Sequence, residues 1–78
     1  MRFACQYKGA YPLGCIVTFT EEGIMKWKPG TSYYYIKNLI RENASFKYSL
    51  RGCTQSGKLL KGWGMAWVAH EHITPVED

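Results

Sequence analysis

The sequence predicts an α+β fold, a small antiparallel sheet with one main helix, and leaves open a second short helix that would complete a helix-turn-helix. Three observations lead there. Hydrophobic residues make up 46% of 78, with three Trp, six Tyr and three Phe, enough bulky area for a core without staples. Short β-branched or alternating runs are punctuated by Gly and Pro. One stretch, 32–43, instead repeats its apolar residues at helical spacing. No linker, repeat or low-complexity tract interrupts the chain, so residues 1–74 read as one compact domain and 75–78 as an acidic tail that frays.

Taken in order, residues 3–7 read as a first strand with Phe3, Cys5 and Tyr7 on one face, and residues 8–12 as a turn. Residues 15–20, rich in Ile, Val and Thr, are the clearest strand. Glu21-Glu22-Gly23 reads as a hairpin turn with Gly23 suited to positive φ; residues 24–28 return antiparallel and Pro29-Gly30 stops them. Thr31 is a good N-cap for the helix at 32–43, whose apolar stripe is Tyr33, Ile36, Leu39 and Ile40. Tyr34, Lys37 and Arg41 fall on a different face of that helix.

Residues 46–51 alternate apolar and polar strictly, which favours a half-buried strand. They also fit a short helix capped by Ser45 and ended by Gly52. Residues 52–57 form a polar loop, and residues 59–60 and 63–70 read as a final extended stretch.

The +4 net charge is unevenly spread. Residues 1–22 are neutral, residues 23–70 carry eight basic residues against Glu42 alone for +7, and residues 71–78 carry −3. A basic middle of this kind argues for a polyanionic or acidic partner. Cys5, Cys15 and Cys53 are odd in number and widely spaced, unlike a secreted disulfide framework, and read as buried free thiols, with a Cys5–Cys15 pairing across a hairpin as the alternative. With no signal-peptide pattern and no apolar run of spanning length, an intracellular, cytoplasmic location is the expectation.

Catalytic constellations are missing. Glu21 and Glu22 read as a solvated hairpin tip, and no Gly-rich phosphate loop has the required spacing. His70, His72 and Cys53 fall short of a closed zinc set, which wants four ligands and usually a close Cys pair. A non-enzyme without metal or cofactor is therefore expected.

The functional signal is the interleaving of basic and aromatic residues from Tyr34 to Trp67. Lys37, Arg41, Lys47, Arg51, Lys58 and Lys61 are candidates for phosphates, and Tyr34, Tyr48 and Trp63 for stacking on unpaired bases. Trp27, Phe46 and Trp67 read as core. In the strand reading of 46–51, Lys47, Ser49 and Arg51 line one sheet face, which suits a single strand or a protein. In the helix reading Lys47 and Arg51 enter a groove together.

Residues 17–68 also resemble the nuclease-associated modular domains, small DNA-binding modules appended to homing endonucleases. The likeness rests on Glu22-Gly23 to Lys28 as the hairpin return and Thr31 as the first-helix cap. Ser45, Phe46, Leu50, Arg51 and Gly52 match the second helix and its end, and residues 61–67 match the closing strand. Tyr35 and Ile36 stand where that family has paired small residues, Ile40-Arg41-Glu42 replaces its Gly-containing turn, and no nuclease domain accompanies the module. The resemblance implies duplex DNA, with Lys47 and Arg51 on a recognition helix.

The leading expectation is a small DNA-binding protein of viral or mobile-element type. The alternative is an inhibitor or adaptor that docks on an acidic protein surface through Tyr33, Tyr34, Tyr35 and Trp63.

Overall fold

The computed structural model describes residues 9–76, so the strand predicted over 3–7 and the partner role of Cys5 lie outside the described residues. It holds a five-stranded antiparallel sheet and one α-helix, in the order β1 (Ile16–Phe19), α1 (Glu21–Trp27), β2 (Tyr33–Glu42), β3 (Ser45–Cys53), β4 (Leu59–Ala69) and β5 (Ile73–Pro75). A single 3-10 turn at His70–His72 joins β4 to β5. Across the sheet the strands run β4-β3-β2-β1-β5.

Residues 32–43 are thus not a helix: positions 33–42 are the central strand β2, paired with β1 on one side and β3 on the other. The misleading signal has a local cause. A bulge falls between Ile36 and Asn38, so the buried positions run Tyr34, Ile36, then Leu39. The extra residue, Lys37, turns a period of two into a gap of three, which imitates a helix. Asn43, expected to end that helix, sits in the β2–β3 turn at φ 57°.

The helix forms instead where a hairpin turn was expected. Thr20 caps it, its hydroxyl accepting from the Gly23 N–H at 3.2 Å, and Glu21 and Glu22 occupy the first turn, where the helix dipole favours anions. Gly23 is there for close approach and not for positive φ. A Cβ on it would stand 2.2 Å from the His72 carbonyl oxygen and 2.9 Å from the Phe19 ring. Lys28 ends the helix in the left-handed region at φ 49°, its N–H bonding the Ile24 carbonyl at 2.9 Å.

Residues 46–51 lie in β3, as their alternation implies, so Lys47 and Arg51 stand on a strand and the second helix of a helix-turn-helix is not shown. At the C-terminal end, Pro75 pairs with Val17 and the Val76 N–H bonds the Ile16 carbonyl at 2.9 Å, so the ladder continues into the expected tail.

One sheet face carries the core. Val17, Phe19, Tyr34, Ile36, Leu39, Tyr48, Leu50, Val68 and Ile73 are buried together, with Tyr11, Trp27, Phe46 and Met65 packed against them. Two polar ties fix the cover. The Trp27 indole N–H donates to His72 Nδ1 at 3.2 Å, anchoring the end of α1 to the 3-10 turn. The Tyr11 N–H donates to the Tyr48 hydroxyl at 3.0 Å, and that hydroxyl lies 2.7 Å from His70 Nδ1. The Tyr11 ring stacks on His70 at 4.3 Å between centroids.

Candidate functional site on the open sheet face

Because strand side chains alternate, the register assigns each residue of the sheet to the core or to the opposite face. The pairs Tyr35–Arg51, Asn38–Ser49, Ile40–Lys47 and Lys47–Ala69 all lie opposite the core. Val68 is fully buried on the core side, so its neighbour Trp67 turns to the open face, where it is 39% exposed. The open face therefore carries Tyr33, Tyr35, Lys47, Arg51 and Trp67, with Lys37 at the bulge beside them.

One corner of this face is closed. The β3–β4 loop is held by Thr54 N–H to Lys58 carbonyl (2.8 Å) and Gly57 N–H to Thr54 carbonyl (2.9 Å). It folds against Ile16, whose Cδ1 lies 3.3 Å from where a Gly57 Cβ would be. Cys53, on the same side of the sheet as Tyr33, is fully buried, and burial pushes its thiol above the ordinary range.

The remainder is open along β3 and β4. Two contiguous shallow clefts, of about 280 and 290 Å³, share Lys37, Leu50 and Gly64. Ser49, Met65 and Ala66 extend one; Arg51, Gly62 and Trp63 extend the other. They form a trough with cations at its walls and glycine in its floor. A larger cleft, about 400 Å³, lies instead at the β2–β3 end, between Phe46, Lys47, His70 and Glu71. Its charges are mixed, so it offers an anion no comparable field.

The predicted contacts divide accordingly. Lys37, Lys47 and Arg51 come together on the open face. Lys47 is engaged by Glu42 at 3.1 Å, an exposed pair of little energetic weight. Arg41 shares the core-side face with Leu39 and Phe46, exposed near the β2–β3 turn. Lys58 and Lys61 are exposed at the loop and at the start of β4.

Two of the aromatic platforms do not survive. Tyr34 and Tyr48 are fully buried, and the Tyr34 hydroxyl accepts from the Gly30 N–H at 3.1 Å. Trp63 packs its ring over Gly30, where a Cβ would fall 1.9 Å from Cζ3, and its own Cβ blocks one at Gly52. It lines the trough, yet it is clamped on the core side. Trp67, expected in the core, is instead exposed on the open face, while Trp63, though packed over Gly30, remains 46% exposed. The signal that could have found Trp67 is alternation from the apolar Val68.

Among the described residues no group of three His, Cys, Asp or Glu side chains could hold a metal ion, and no helix is long and apolar enough to cross a membrane. Set against protein-family models, curated proteins and solved structures, the chain finds no match in any of the three.

Proposed function

We propose that the chain is a non-catalytic binder of single-stranded nucleic acid, held on the open face of the sheet. One observation carries the reading: the uncovered part of the face sets Lys37, Lys47 and Arg51 beside Tyr35 and Trp67. Cations neutralise phosphates whatever the sequence, and exposed aromatic rings stack on splayed bases, which a duplex keeps paired and out of reach. The acidic Glu21 and Glu22 sit on α1, over the opposite face, and leave the open side electropositive. Duplex recognition by a helix loses its support, because Lys47 and Arg51 stand on β3, about 13 Å apart along the strand.

The test is fluorescence anisotropy with labelled 12-mers of oligo(dT) and oligo(U), and a duplex of equal length. Three phosphate contacts imply that affinity for the single strands falls about 20-fold between 50 and 200 mM salt. Single strands should also outbind the duplex. Salt-independent binding, or none at 50 mM salt, overturns the reading. A stoichiometric complex with an acidic protein in place of either oligonucleotide would also overturn it and favour the docking alternative.

A further inference from the structure

We infer that the trough between β3 and β4 is the seat of one phosphodiester group, gripped by Lys37 and Arg51 and admitted by Gly64; the inference rests on the nucleic-acid reading above. Gly64 pairs with Arg51 across the strands, so a side chain there would rise from the floor of the trough beside the guanidinium. Yet the fold does not need a glycine at this position. A Cβ would meet only the Leu50 carbonyl oxygen, at 3.6 Å, which is ordinary contact, and the backbone is not left-handed. This separates Gly64 from Gly23, Gly30 and Gly52, where a Cβ collides with the protein itself. What Gly64 provides is access, which lets a ligand come down onto the strand.

The cations supply the complementarity. Among the described residues neither Lys37 nor Arg51 makes an ion pair or a side-chain hydrogen bond, whereas Lys47 is taken by Glu42. Lys37 owes its place to the β2 bulge, and Arg51 lies one residue before the buried Gly52 on β3. A point charge and a planar fork from neighbouring strands flank the position that Gly64 leaves clear, an arrangement suited to a tetrahedral monoanion.

The experiment is a two-dimensional amide NMR titration of the full chain with oligo(dT) of eight residues, alongside the Gly64→Val and Gly64→Ala variants. The expected result is that the largest shifts fall on Lys37, Ser49, Leu50, Arg51 and Gly64. Gly64→Val should weaken binding at least tenfold with an unchanged unfolding midpoint, and Gly64→Ala less. If the oligonucleotide binds but shifts cluster elsewhere on the open face and both variants bind like the parent chain, the seat is wrong and the broader reading stands. If it does not bind at all, both fall. The shift map needs no variant, so a Gly64→Val chain that failed to fold would leave the decision intact.

Discussion

At the scale of single residues, the glycines and the buried polar groups set the tolerances of this fold. Gly23→Ala should destabilise the chain by about 1–3 kcal/mol in urea unfolding, because the new methyl meets the His72 carbonyl, which is backbone and cannot swing away. Helix propensity alone would have it gain about 1 kcal/mol, so the sign of the result decides which effect governs. An indole N–H can only donate, so His72 Nδ1 accepts from Trp27 and His72 carries its neutral proton on Nε2. Trp27→Phe should cost about 1 kcal/mol by the same measurement. Tyr11 and Cys53 both titrate above their ordinary values, Tyr11 through burial and then the neighbouring Cys15 thiolate, Cys53 through burial. The folded chain keeps both groups neutral to higher pH, while the unfolded chain ionises the Cys53 thiol near pH 9.0 and the Tyr11 hydroxyl near pH 10.0. Their contribution is therefore intact below about pH 9 and lost as pH rises through the folded values. Urea midpoints should fall between pH 8 and pH 10.5, and Cys53→Ala should flatten part of that decline.

The strands and the helix were unequally legible. Residues 15–20 declared themselves through β-branching, and residues 46–51, which also fitted a short helix, follow their strict alternation; β1 and β3 lie there. β2 concealed itself, since one inserted residue at Lys37 gives a strand the spacing of a helix, and only pairing partners on both sides resolve the two. The seven residues of α1 are too few for a periodic signature. Their start was nonetheless written in Thr20 with its two following glutamates, which a Gly-containing tripeptide disguised as a turn. Of the site, the cations and the exposure of Trp63 were visible in sequence, but the burial of Tyr34 and Tyr48 and the exposure of Trp67 were not, because each depends on which side of its strand the ring takes. Backbone chemical shifts across residues 33–53 should read extended throughout, apart from the turn at 43–44. A helical run over 33–42 would refute the sheet described here.

For the molecule as a whole, charge is sorted by face more than by segment. The basic stretch of 23–70 looks continuous in sequence, but Lys26 and Lys28 belong to the helix layer, while Lys37, Lys47 and Arg51 share the open side. The double variant Lys37→Glu/Arg51→Glu should lower oligonucleotide affinity by more than tenfold in anisotropy titrations and leave thermal unfolding within a few degrees. Lys26→Ala should change neither.

The strand order carries a consequence for how the chain is made. β1 is flanked on its outer side by β5, whose residues are the last of the described strands to be synthesised. Until Ile73–Pro75 arrive, the backbone groups of Val17 to Phe19 that face β5 have no ladder to join. The sheet closes across most of its own sequence, a topology that folds slowly compared with local hairpins. A nascent chain released before Ile73 should expose that edge and aggregate, so the arrival of β5, and not emergence of β1, is the event that makes the fold available.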